Sequence, residues 1–251
     1  MDKSGLAKRA KVYQHEYDYR LPLRSYSILQ LDGKAFHTWT KGLERPFDKK
    51  FISAMNEAAI AVLNEISGAK FAYVQSDEIN ILVTDFDEED TQAYFSNRIQ
   101  KVVSVASSIA SAYMSRAFPE KDLAIFDGRF FSVPEKLNVF EFFLWRQVDA
   151  RKNSVRSVAN HAFKHHELTD KNTQDAKDML AAQGIFWDEF PEDQKFGRLI
   201  SKTKQLKTVE YVHSRTKEKI VQEVEKSIWE VKAAPLFHED KKALNSLILD
   251  K

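Results

Sequence analysis

Three acidic side chains at two points in the chain are of the right type and spacing to do chemistry. In FAYVQSDEINILVT (71–84) an apolar stretch is broken at its centre by Ser76, Asp77 and Glu78. Upstream, YSILQL (26–31) runs straight into Asp32 and Gly33. Carboxylates that approach from adjacent strands suit Mg²⁺, which takes hard oxygen ligands and is commonly shared between carboxylates and substrate phosphates. Two such ions about 4 Å apart activate an attacking oxygen and stabilise the leaving one in phosphoryl transfer. Gly33 fits this chemistry, because a residue without Cβ lets the backbone come close to a metal or phosphate. KAFH (34–37) follows, with amides to wrap a triphosphate and Phe36 to lie near a base. The residues alone are equally compatible with a plain hairpin turn at 76–77 and an unrelated Asp-Gly turn at 32–33.

The elements on either side decide whether the acids meet. The pattern predicts a strand over 26–31 ending at Asp32-Gly33, then a helix start at Arg45-Pro46-Phe47-Asp48 with Asp48 as N-cap. Phe51, Met55, Ala59, Val62 and Ile66 recur at helical spacing up to Ser67-Gly68. Strands over 70–75 and 79–84 flank the acidic turn. A helix over about 90–117 is expected to bury Phe95, Ile99, Val102, Ala106, Ile109 and Tyr113, and Phe118-Pro119 ends it. A short strand, RFFSVP, follows Gly128. Strand, helix, strand, strand, helix, strand is the order of a ferredoxin-like α+β domain, in which the first strand lies beside the central hairpin. That topology brings Asp32 next to Asp77 and Glu78. The expected organisation is a loose polar extension over 1–24, a catalytic domain over 25–135, and a region over 136–251 packed on it as one structural unit. Within that last region, 136–183 reads as largely helical and 185–235 as short strands with a charged hairpin, SRTKEK.

Composition narrows the classes. With 43% hydrophobic residues, 18 Phe and 30% charged residues in 251, the chain has the make-up of a globular protein with a real core. A net charge of +1 gives no global basic field, so any nucleic-acid surface must be local. The absence of cysteine excludes disulfides, thiol catalysis and Cys-ligated zinc. The N-terminus lacks an apolar h-region, and no stretch approaches the roughly 20 apolar residues needed to span a bilayer. A cytoplasmic protein without a membrane partner is the expectation.

Five motifs taken together resemble the tRNA-His guanylyltransferase family and its 3′–5′ polymerase branch in bacteria, archaea and phages. They are LDGKAFH (31–37), QSDE (75–78), FDGR (126–129), WRQVDARKNS (145–154) and WDEFPEDQKFGR (187–198), with ERPFD (44–48) in the expected place. The resemblance implies a polymerase-like palm and addition of nucleotides to the 5′ end of tRNA with two Mg²⁺ ions. GTP and ATP would be partners, and a homotetramer the assembly. It makes Asp32 and Asp77 the metal carboxylates, the Gly33 carbonyl a further ligand, and Glu78 their acidic neighbour in catalysis. Lys34, Ala35, Phe36, His37 and Ser76 fall where the family binds the incoming nucleotide. Arg45 is placed to pair with a phosphate, and Arg98, Lys101 and Ser104 share one helix face toward a triphosphate. Arg151, Lys152, Asn153, Lys195 and Arg198 would meet the RNA. One departure stands out: where eukaryotic members have a His tied to activating a monophosphorylated end, this chain reads Arg151-Lys152-Asn153-Ser154.

Other features carry plainer readings. His161, His165 and His166 suit a surface helix better than a zinc site, which would need a third ligand. The acidic run from Asp85 to Asp90 reads as a solvated loop before a helix. Phe142, Phe143 and Trp145 read as core rather than as a base-stacking platform, and Phe36, taken by itself, leans the same way. Two other functions share parts of the pattern: a palm-type nucleotide cyclase, which would carry a GGDEF signature, and a non-catalytic RNA-binding relic, which would be free to lose Asp32 and Asp77.

Overall fold

The computed structural model describes residues 5–212 and 219–251. Its centre is a six-stranded, fully antiparallel sheet in the order β4-β1-β3-β2-β5-β6. The strands are β1 (Tyr26–Gly33), β2 (Ala69–Gln75), β3 (Glu78–Val83), β4 (Phe126–Val133), β5 (Arg198–Val212) and β6 (Lys219–Ala233). The first four have the order expected from the sequence, with β1 paired to β3 on one side and β4 on the other. Their alternation sorts side chains to two faces. Leu29, Leu31, Ile79, Ile81 and Val83 pack against helices α3 (Lys49–Glu65) and α4 (Ile99–Ala117). Tyr26, Phe71, Tyr73 and Leu82 face the other way, toward α5 (Lys136–Ala162) and the C-terminal residues Phe237, Leu244 and Ile248. The far half of α5 builds a smaller core with α6 (Thr173–Ala182) and Trp187.

Asp48 caps α3 as expected, its Oδ1 accepting from the Phe51 N–H at 2.8 Å. The helix expected from about 90 begins only at Ile99, because Phe95, Ser96 and Asn97 all have positive φ. Phe95 is accordingly 39% exposed rather than buried. This kink is where the N-terminal segment is tied down. Asn97 Nδ2 donates to the Pro22 carbonyl and to Asp85 Oδ2, while the backbone N–H groups of Arg24 and Ser25 donate to Asp85. Asp85 is thus a buried hub, not part of a solvated loop, and residues 18–25 are not loose. A helix the sequence reading missed, α1 (Leu6–His15), precedes them with no buried residue.

The C-terminal strands are long, not short: β5 and β6 each run 15 residues. Only the first four residues of β5 join the main sheet, at Arg198–Ser201 against Phe71–Val74, and the rest projects as a two-stranded ribbon. Of the charged hairpin SRTKEK expected from the sequence, all but Lys219 lies outside the described residues. Among the described residues no helix is long and apolar enough to cross a membrane.

Candidate active site

Register assembles the acids. Asp32 near the end of β1 sits opposite Glu78 on β3 and opposite Asp127 on β4, so three carboxylates form one row across adjacent strands. The next row on the same face is Arg129, Gln30 and Asn80. Asp77 joins from the β2–β3 turn, a two-residue connection that holds Ser76 at φ 46°. The Gly33 N–H donates to the Asp77 carbonyl at 3.1 Å, which fixes the end of β1 to that turn. Gly33 is required for a reason the sequence did not show: a Cβ there would lie 2.5 Å from the Phe36 ring.

One face of α5 roofs this row. Trp145, Arg146, Asp149, Asn153, Arg156 and Asn160 line the cleft with Asp32, Asp77, Asp127 and Arg129, enclosing about 530 Å³. Their spacing of three to four residues is the period of a single helix face. Partial burial and then the charges of Asp77, Glu78 and Asp127 push the Asp32 carboxyl up to about 6, against a pull from Arg129. Burial also raises Asp77, opposed by hydrogen bonds from its own backbone and from Ser76. Acids that raise one another in this way lower their energy by sharing a cation. Among the described residues no three His, Cys, Asp or Glu side chains converge to cage an ion unaided. Mg²⁺ rarely needs such a cage, since one or two carboxylates suffice when waters and substrate phosphates complete its shell. Asp32 and Asp77 fit that donor set.

Glu78 does not. It is buried, and Arg146 takes both of its oxygens, Nε to Oε1 at 2.7 Å and Nη2 to Oε2 at 2.5 Å. Asn80 Nδ2 adds a third donor. Three donors inside the protein hold it, so its part is to anchor α5 over the sheet. The WRQ-x-D motif is thereby explained residue by residue. Arg146 grips Glu78 and Asp149, while Gln147 exchanges hydrogen bonds with the Pro235 carbonyl and the Phe237 N–H. Trp145 is 57% exposed at the cleft, not core as its composition suggested.

Other expected residues divide. Ser76 and Asn153 lie at the cleft, and His37 is close enough to act on Asp77. Lys34 and Ala35 are exposed in the turn after β1, the Lys34 N–H being used by the Ile125 carbonyl. Phe36 is buried against Trp39 and Phe126, so it packs the core instead of stacking a base. Arg45 lines a second cavity beside the cleft. Arg98 pairs with Asp18 at 3.0 Å, and Lys101 sits over the Phe95 ring; neither lines the cleft, nor does Ser104. Arg151 and Lys152 are exposed on α5. Lys195 and Arg198 are buried, with Lys195 Nζ donating to the Asp188 carbonyl, so they form no surface patch for RNA. The reading missed Asp127, Arg129, Arg146 and Arg156 as cleft residues. The second Asp-Gly pair, in FDGR, was the available signal for Asp127.

His161, His165 and His166 are exposed, as the plain reading had it.

Comparison with known proteins agrees with this geometry. A bacterial tRNA(His) guanylyltransferase (Thg1)-like protein in complex with ATP superposes with a TM-score of 0.84 at 35% identity, over 97% of this chain and 99% of that one. A bacterial Thg1-like protein in complex with GTP gives 0.80 at 34% identity over the same shares. The tRNA(His) guanylyltransferase 1 of Arabidopsis thaliana is 28% identical over 203 residues, 74% of this chain but 35% of the plant protein, so the chain spans about a third of that relative. The family model described as Thg1, tRNAHis guanylyltransferase, matches residues 9–134, just over half of the chain. From its acidic row to its WRQ-x-D helix, the chain belongs to the tRNAHis guanylyltransferase family.

Proposed function

We propose that this protein adds nucleotides in the 3′–5′ direction to the 5′ end of tRNA, using nucleoside triphosphates and a palm-like catalytic domain. The observation that carries the reading is the meeting of Asp32 and Asp77 at one end of β1, in a cleft wide enough for phosphates and open to solvent. Asp32 and Asp77, with the Gly33 carbonyl, would hold two Mg²⁺ ions. When bound, those ions neutralise phosphate oxygens and lower the cost of generating the attacking alkoxide. The protein's own work is positioning. Arg129 and Arg156 offer fixed positive charge to phosphates lying over the acid row. Arg146 keeps Glu78 engaged and so holds α5, with Asn153, at a constant height above the sheet. Relatives in complex with ATP and with GTP support a triphosphate as the occupant. A homotetramer in the cytoplasm remains the proposed state.

The test is incubation with labelled, 5′-triphosphorylated tRNA lacking its first nucleotide, all four NTPs and Mg²⁺. Extension at the 5′ end supports the proposal. Formation of a cyclic nucleotide, or retention of RNA without extension, overturns it in favour of a cyclase or a binding relic.

A further inference from the structure

Among the described residues, the walls of the carboxylate cleft are polar or charged with one exception, Trp145. A single exposed aromatic is ordinary on a protein surface, but this ring is held in place. The Arg146 guanidinium lies over it, 4.4 Å from the ring centre, and Arg146 is itself fixed by Glu78 and Asp149. Phe142 makes an edge-to-face contact with it, centroids 5.9 Å apart, and meets Phe131 of β4 in the same way at 5.7 Å. Backed by a cation and braced by Phe142, Trp145 still stands 57% exposed. A flat, steadied, apolar surface is thus presented to a space otherwise built for charge.

Its place is at the margin. The face of α5 that lines the cleft runs Trp145, Asp149, Asn153, Arg156, Asn160, so Trp145 is the end of it. Beneath lies β4, the edge strand of the sheet, on which Asp127, Arg129 and Phe131 alternate onto one face. A polynucleotide with phosphates at the acid row therefore passes the indole where it leaves over β4. Bases inside a stem have their faces covered by neighbours, whereas unpaired bases can be splayed out and stacked on aromatic side chains. A second copy of this chain fits less well, because Asp127, Arg129 and Asp149 share the cleft with the ring and charged groups are depleted from the cores of protein interfaces.

We propose that Trp145 is a stacking platform for an unpaired base of the single strand opposite the RNA 5′ end, holding that strand at the β4 margin of the cleft. Guanidinium, indole and base then form one stack, with the cation on the far side of the ring. Every base has a π-face, so the platform adds grip without sequence preference. The inference rests on the RNA-end reading of the cleft.

The experiment is fluorescence anisotropy of the full chain in Mg²⁺ with two labelled, 5′-triphosphorylated tRNAs lacking the first nucleotide. One has a normal 3′ single strand; in the other that strand is abasic, with the same phosphates. The wild type is expected to bind the normal RNA about tenfold tighter. Trp145→Ala should bring the two within about twofold by weakening the normal RNA, and Trp145→Phe should retain most of the difference. If Trp145→Ala does not fold, Trp145→Leu, which keeps an apolar side chain without a ring, takes its place. Equal binding of both RNAs by the wild type overturns the inference. So does a difference unchanged in Trp145→Ala, which together with altered sedimentation would assign the ring to a second copy. Equal weakening of both RNAs by Trp145→Ala also overturns it, since the ring would then only hold Arg146. Those results leave the nucleotidyl-transfer reading standing. Failure of both RNAs to bind the wild type removes both readings.

Discussion

Arg146 holds Glu78 with both prongs of its guanidinium, from a helix on one side of the cleft to a strand on the other. Both side chains are under a tenth exposed, at 9% and 7%. Removing one partner leaves a buried charge alone, which typically costs about 3–5 kcal/mol. Arg146→Ala should therefore lower unfolding free energy by about 3 kcal/mol, read by urea denaturation. The double variant Arg146→Met, Glu78→Leu should recover most of that loss. If the single variant is neutral, the pair does not anchor α5.

Asp32→Ala and Asp77→Ala should each abolish nucleotide addition and leave the fold intact. Asp32 is exposed and Asp77 half-buried in a turn, so neither fills the core. Circular dichroism checks the fold, and extension of the truncated tRNA checks activity. A near-wild-type rate in either variant at saturating Mg²⁺ would rule out the two-metal assignment.

Asp32 makes stability depend on pH in a definite direction. Its carboxyl is raised to about 6, mainly by burial and then by its acidic neighbours, against about 3.9 in an unfolded chain. Below about pH 4 it is protonated in both states and costs nothing. Between about pH 4 and 6 the unfolded chain releases the proton while the folded one keeps it, so stability falls as pH rises, and the cost is complete above about pH 6. Asp32→Asn should then stabilise the EDTA-treated protein at about pH 7.5 by roughly 1 kcal/mol, the value expected after solvent screening of an open side chain. The gain should vanish at about pH 4. A gain that is constant across this range would mean the effect is not titration.

RNA affinity should fall steeply with salt despite the net charge of +1, because each phosphate contact releases counterions. Arg151→Ala and Lys152→Ala, both exposed, should reduce the slope of log K against log salt by about one each. Lys195→Gln should leave that slope alone and lower thermal stability instead, since Lys195 is buried and bonded to Asp188. Filter binding over a salt series separates the two.

The stretch Arg151-Lys152-Asn153-Ser154 predicts a preference for triphosphorylated over monophosphorylated 5′ ends. A monophosphate must first be activated by adenylylation, whereas a triphosphate already carries a leaving group. Loss of one positioned group typically costs a step about 10²–10³ in rate. Comparison of both ends on one truncated tRNA with ATP present gives the answer. Equal rates would return the protein to single-G addition.

Much of the fold was legible in the sequence, for a local reason. Short apolar runs marked β1, β2 and β3, and the break at Ser76-Asp77 left only one economical pairing, so Asp32 beside Glu78 followed from topology. Helix α3 was legible to its cap, because Asp48 and the spacing of Phe51, Met55 and Val62 are local signals. The start of α4 was not, since the residues at 95–97 are held by distant contacts: Asp85 and the Pro22 carbonyl both accept from Asn97.

At the site, residue type and order determined which acids meet, and only tertiary structure decided which of them are free. Asp77 and Glu78 are neighbours in sequence and both line the cleft, but Glu78 opens β3 while Asp77 falls in the turn. Glu78 is claimed by an arginine 68 residues on, while Asp77 stays at the cleft. The same holds for the cations. Lys195 and Arg198 look like surface charges in any composition count, yet the packing of α7 (Glu192–Phe196) and the start of β5 buries both. Charge is a property of the residue. Whether it reaches solvent, substrate or a buried partner is fixed by contacts between segments far apart in the chain, and those exist only once the sheet has closed.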